Sequence, residues 1–216
     1  ALLLLATAAL TAACGGKASN GATSSPSPSQ ARPTSASLLS YAVRGSDLGP
    51  GWTDSPTPNG TSVAIDNGNH PCHKDYPSDY ERYAKNSVTI VNAQLPSQVQ
   101  DDVVYYVYHG ATDALKEIRA AVTTCSSYTE VNSEGATITI DVHISTATSS
   151  AVGDDRVIFD RRATLGGRSI YSVVFVVRVG TYVSTIFTLS GDPAEAGRLA
   201  GLASVAAANR LKTAPS

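Results

Sequence analysis

Arg168-Ser-Ile-Tyr-Ser-Val-Val-Phe-Val-Val-Arg-Val-Gly-Thr-Tyr-Val-Ser-Thr-Ile-Phe-Thr-Leu189 decides the fold. Two runs of β-branched and aromatic residues meet at Val179-Gly180. They predict strands over Arg168 to Val179 and Thr181 to Leu189, joined by a tight hairpin. Pairing across that turn places Tyr171, Val173, Phe175 and Val177 with Tyr182 and Ile186. The opposite face holds Val174, Val176, Val183 and Phe187. A sheet with one watery side would alternate apolar and polar residues, and this hairpin is apolar on both sides. Either further segments cover the second face or it forms an apolar cleft.

Working outward, Leu165-Gly166-Gly167-Arg168 reads as a second hairpin turn, preceded by a strand over Arg156 to Thr164. Ala136 to Ile144 alternates, with Ile138, Ile140, Val142 and Ile144 on one side and Thr137, Thr139, Asp141 and His143 on the other. Ser87 to Leu95 and Asp102 to His109 are two more strands. Between the strands lies a helix over Thr112 to Ser126, whose Leu115, Ile118, Val122 and Cys125 share a face. Asp192-Pro193-Ala194-Glu195 opens a terminal helix with an Asp cap and Pro at its first position, and Leu199, Leu202 and Val205 give it a buried stripe. Ala36 to Leu48 is a helical stretch stopped by Gly49-Pro50-Gly51. Asp54 to Asn69 is turn-rich, with Thr61 to Ile65 a short strand inside it. Asp75 to Lys85 is left open between a loop and a short helix. The fold class is therefore α+β: one twisted antiparallel β-sheet with helices packed on one face and a candidate cleft on the other. Tyr106, Tyr108 and Phe175 are the expected cleft-lining residues.

The N-terminal end says where the protein works. Residues 1–13 are apolar and uncharged, and too short to span a bilayer. They read as a secretion signal. The chain contains no Met, so residues preceding Ala1 are expected to be missing. Leu10-Thr11-Ala12-Ala13-Cys14-Gly15-Gly16 resembles the lipobox of bacterial lipoproteins, with Thr11 where that family usually has Leu. The resemblance implies lipid attachment at Cys14 and anchoring at the outer face of the cytoplasmic membrane. Residues 14–35 are rich in Gly, Ser and Pro and read as a tether with an r.m.s. reach of roughly 25 Å. Residues 36–213 form the single domain. Three cysteines are present, and an odd number in a secreted chain needs an explanation. Lipidation of Cys14 leaves Cys72 and Cys125 to pair. Cys125 sits on the buried face of its helix, so a partner must come from a segment packed beneath it, and Cys72 is the one left. Closing that loop is worth roughly 4 kcal/mol in the chain-entropy model.

Chemical signatures are sparse. Lys and Arg number 16 against 18 Asp and Glu, for a net charge of −2, so no nucleic-acid partner is expected. Gly-x-Ser-x-Gly, His-Glu-x-x-His and a phosphate loop are absent. Asp101-Asp102 and Asp154-Asp155 read as turn carboxylates. His70-Pro71-Cys72-His73 has ligand chemistry suited to zinc, with His109 or His143 as further donors. A Cys72 committed to a disulfide leaves that site short, so no metal and no cofactor are expected.

The order of elements carries a resemblance. A helix ends in Asp47-Leu48-Gly49-Pro50-Gly51-Trp52. Pro71-Cys72 and a strand follow, then a second strand leading into the helix that ends at Thr124-Cys125, then strands, a hairpin and a terminal helix. This resembles actinobacterial lipoproteins related to the extracellular sensor domain of the mycobacterial serine/threonine kinase PknH. The resemblance implies an antiparallel sheet with helices around a cleft that takes a ligand, and it matches Cys72 and Cys125 to the family's first disulfide. The family's second disulfide has no counterpart, since no Cys follows Cys125. The expected function is a membrane-tethered, non-enzymatic ligand-binding or sensing lipoprotein taking a small apolar ligand. The alternatives are a structural envelope lipoprotein that holds an envelope protein and a secreted hydrolase with an unrecognised site.

Overall fold

A computed structural model of the chain describes residues 31–64, 70–132, 134–145 and 152–215. Cys14, the signal segment and most of the tether lie outside them. Eight strands form one antiparallel sheet in the order β1-β2-β3-β8-β7-β6-β5-β4. They are β1 (Trp52–Pro56), β2 (Arg82–Asn92), β3 (Ser97–Tyr106), β4 (Ser127–Val131), β5 (Thr137–Ile144), β6 (Asp155–Leu165), β7 (Arg168–Val179) and β8 (Tyr182–Ser190). The helices are α1 (Ser35–Leu38), α2 (Gly45–Leu48), α3 (Gly110–Thr124) and α4 (Pro193–Leu211). This is the α+β antiparallel class that the alternating strands require.

The central hairpin has the expected register. Phe175 faces Ile186 and Val179 faces Tyr182, and Gly180 turns the chain at φ 59°. Gly166 and Gly167 close the β6–β7 turn with φ of 56° and 79°, a pair of left-handed residues that only glycine adopts at little cost.

The two faces are covered differently. α1, α2 and α4 lie on one face, where Leu38, Val43, Leu48 and Leu199 pack with Val99, Val103, Phe175, Val177 and Ile186. α3 lies on the other, where Leu115 and Val122 pack with Val104, Val157, Phe159, Val174 and Val176. The helices thus divide between both faces, because the hairpin's second apolar face also needs cover.

Several elements differ from the sequence reading. The Ala36 to Leu48 stretch is broken: Leu39–Tyr41 is 3-10, and Ala42 turns extended at ψ 151°. A buried carboxylate is the cause, since Val43 donates its backbone N–H to Asp101 Oδ2 at 2.8 Å instead of continuing a helix. The α4 stripe is mostly alanine. Leu199 is buried with Ala196, Ala200, Ala203 and Ala207, while Leu202 and Val205 are 41% and 44% exposed. Small side chains let the helix lie close on the sheet, and the larger pair falls outside the contact arc. β1 is an edge strand in a segment read mostly as turn-rich, and β4 is one in a segment given no element between the expected helix and the Ala136 strand. β2 and β3 each lie about three to five residues toward the N-terminus of the expected spans, since Ala93–Pro96 forms their turn. Thr61 to Ala64 form no strand, and Ile65 is outside the described residues.

Candidate functional site

Between α3 and the sheet a cavity of about 80 Å³ remains. Its floor comes from three central strands: Val104 of β3, Val183 and Phe187 of β8, and Val174 and Val176 of β7. Ala114 and Ile118 of α3 roof it, Phe159 of β6 closes one side, and His70, Pro71 and Tyr76 line another. The volume admits several waters or one small apolar ring, since one water's centre needs roughly 10–15 Å³.

The rim is charged. Lys85 Nζ lies 3.0 Å from Asp102 Oδ2, and Gln100 Nε2 donates to the other Asp102 oxygen at 2.9 Å. Arg82 forms an ion pair with Asp79, and its Nε donates to the Tyr106 hydroxyl at 3.4 Å. Asp79 is 3% exposed. Burial raises its pKa, while Arg82 and His70 beside it work the other way. The His70 ring stacks on Tyr76 with centroids 3.9 Å apart. Its Nδ1 lies 2.8 Å from the Lys74 carbonyl; a carbonyl only accepts, so Nδ1 carries a proton. Nε2 then faces Asp79 Oδ2 at 3.5 Å. Tyr76 is buried, its hydroxyl is without a hydrogen-bond partner, and burial pushes its pKa up.

Local sequence explains the positioning. α3 has Gly110 at its first turn because a Cβ there would stand 2.6 Å from Tyr106 Cδ1 and 2.7 Å from Glu81 Cβ. Glu117 of α3 reaches Ser78, accepting from its hydroxyl at 2.5 Å. At the far end of the helix Cys125 is bonded to Cys72. The two attachments hold the 70–81 segment along the flank of α3, and that segment supplies His70, Pro71, Tyr76 and Asp79.

Of the three expected cleft residues, Tyr106 lines this cavity. Tyr108 and Phe175 do not. β3 ends at Tyr106, so the alternation that aligned Tyr108 with it stops. Tyr108 sits in the following turn at φ 53°, 82% exposed. Phe175 points to the α4 face and is buried there, as its pairing with Ile186 demands. The sequence reading missed Arg82, Lys85 and Asp79, since they precede or open a strand that was started at Ser87.

The other candidates are spent structurally. His73 packs edge-on against Tyr128 with centroids 5.2 Å apart, and His109 precedes α3 as its cap residue. Among the described residues no three His, Cys, Asp or Glu side chains gather to hold a metal. Asp155 pairs with Arg119 at 2.9 Å, and Asp154 accepts from the Gly180 N–H at 2.7 Å. Asp101 and Asp102 point to opposite faces. A second groove of about 400 Å³ lies on the α4 face between Pro193, Gly197 and Tyr171, and it holds His143 and Asp160, which face each other across β5 and β6.

No known family model matches the chain, and no curated protein matches it. Among solved structures, it is similar to the extracellular domain of PknH from Mycobacterium tuberculosis, with 13% identity, 82% of this chain and 97% of that chain covered, and a TM-score of 0.49.

Proposed function

We propose that this chain is a lipoprotein, acylated on Cys14 and held outside the cytoplasmic membrane, whose domain binds a small amphipathic molecule non-enzymatically beneath α3. The cavity carries the reading: an apolar floor of four valines and Phe187 with a rim of two partly buried ion pairs. An apolar floor supplies binding energy, and a few fixed polar groups orient what enters. Both rim cations are already matched by carboxylates, so the site favours an uncharged molecule over an anion. Among the described residues no helix is long and apolar enough to cross a membrane, and the lipid on Cys14 supplies the attachment.

Two measurements test this. Native mass spectrometry of the protein purified from its own host should show an added small mass, lost when Val176→Trp fills the cavity. A bare protein mass throughout would refute the binding site. Growth with a clickable fatty acid should label the chain but not its Cys14→Ser variant; equal labelling of both would refute the anchor.

A further inference from the structure

Three tyrosines stand out at one end of the sheet. Tyr80 and Tyr108 are each 82% exposed and Tyr83 is 48% exposed. They belong to one place. Arg82 pairs with Tyr106, and Val107 donates its backbone N–H to the Glu81 carbonyl at 2.9 Å. Tyr80, in the 3-10 turn Pro77–Glu81 that leads into β2, and Tyr108, in the turn that follows β3, therefore lie at the same end of the sheet. Tyr83 sits at the adjoining bulge, its ring 6.1 Å from that of Tyr105. A non-glycine residue seldom takes a positive φ, and Tyr108 does so at 53°; the turn holds its ring outward.

The N-terminal segment arrives at the same end. The Arg32 guanidinium lies 5.0 Å above the Tyr83 ring. Asn86 Nδ2 donates to the Ser35 carbonyl at 2.8 Å, pinning the start of α1 beside the first half of β2. Cys14 and Arg32 are 18 residue steps apart, and the average reach expected from a Gly/Ser-rich composition of that length is about 23 Å. β2 has 11 residues and so measures about 35 Å at roughly 3.3 Å per residue. An anchor at Cys14 would bring the Arg32 end of the sheet to the bilayer before the β2–β3 turn.

We propose that Tyr80, Tyr83 and Tyr108 form a docking rim that rests in the lipid headgroup layer, fixing the orientation that the tether alone leaves free. Tyrosine suits that layer because its ring is apolar and its hydroxyl is wet. The rim rests on the acylated Cys14 of the proposed function, and the occupant is the bilayer to which that lipid is attached.

Nitroxide accessibility on the full acylated chain in phosphatidylglycerol/phosphatidylethanolamine vesicles tests it. Cys14 is acylated and Cys72 and Cys125 are paired, so a single introduced cysteine takes the label. Labels at His109→Cys, beside the rim, and at Ala93→Cys, in the β2–β3 turn, are compared for collision with oxygen, which enters lipid, and with a nickel chelate, which does not. The oxygen-to-nickel ratio at 109 should exceed that at 93 by about fivefold. Tyr80→Ser/Tyr108→Ser should abolish the difference with the far-UV circular dichroism unchanged. Vesicle-bound protein with equally aqueous labels at both positions would overturn the rim and leave the anchor standing. Protein recovered in the soluble fraction, unaffected by Cys14→Ser, would overturn both.

Discussion

The α4 face and the α3 face of the sheet draw alternate residues from the same strands, yet the layer under Ala203 and Ala207 is filled, with a groove only beside Pro193 and Gly197, while the α3 face keeps a cavity beneath its helix. Val177 and Val176 are neighbours on β7, and both are buried. Val177 looks into a layer where Ala203 and Ala207 let α4 settle directly on the strands. Val176 looks into the space under α3. α3 is held at its ends, by Gly110 packed on Tyr106 and by Cys125, and from its middle Glu117 reaches outward to Ser78. Its inner side presents Ala114 and Ile118 to a floor of β-branched residues and leaves a gap between them. Where α4 presents small residues it closes the layer beneath it; α3 packs Leu115 and Val122 on the strands but leaves room for a ligand beside Ala114 and Ile118.

The largest test of this contrast is the disulfide. Reducing it, or making Cys72→Ala/Cys125→Ala, should cost roughly 4 kcal/mol of unfolding free energy in urea titrations. Hydrogen exchange should then speed up in α3 and in residues 70–81 while α4 stays protected. Uniform loosening of both helices would show that the faces are not independent.

The second test uses Asp101, a carboxylate buried on the α4 face. Asp101 is fully buried, accepts from Ser184 Oγ at 2.6 Å and from the Val43 N–H, and burial raises its pKa to about 7. Its folded pKa lies above the unfolded value, so the folded state binds the extra proton. Stability from this group is fully present below about pH 4 and is lost as pH rises toward 7, by something on the order of a few kcal/mol. Asp101→Asn should flatten that slope in urea titrations between pH 4 and 8. An unchanged slope would assign the pH dependence to other groups, Asp79 on the cavity face first.

Truncating the neighbours compares the faces directly. Val177→Ala should cost about 2–3 kcal/mol, because it opens a void in close-packed surroundings. Val176→Ala should cost about 1 kcal/mol, since its outer atoms already lack partners. Equal costs would mean that the cavity is collapsed in solution. The smallest effect is expected at Tyr76→Phe. Removing a buried hydroxyl that has no partner should leave stability unchanged or raise it by about 1 kcal/mol. A loss of stability would reveal a partner for that hydroxyl, ordered water or ligand.

Much of the scaffold was legible in the chain itself. The central hairpin, the β6–β7 turn and the faces of α3 follow from period and glycine placement, which act over a few residues. Cys72 and Cys125 were legible as a pair from parity and from the buried face of α3. The rim of the site was not. Arg82 and Lys85 belong to a strand whose first residues, Arg-Tyr-Ala-Lys, carry no apolar alternation, and only pairing with β3 makes them extended. Tyr108 misled for the opposite reason: Val104, Tyr106 and Tyr108 alternate in the sequence, but the strand stops at Tyr106 and Tyr108 turns away at φ 53°.

The sequence by itself determined an α+β antiparallel chain, apolar on both faces of its central hairpin, with two cysteines placed to staple it. Those properties come from side-chain period, turn chemistry and composition, which need no distant partner. Tertiary structure alone decided which face each helix covers, that Phe175 is core while Tyr106 is site, and that Asp79 and Asp102 lie against Arg82 and Lys85 above an apolar floor. These depend on which strand edges meet and how closely a helix can approach. Close approach follows from small residues such as Ala203, and the placing of α3 follows from anchors such as Cys125, whose partner lies 53 residues away.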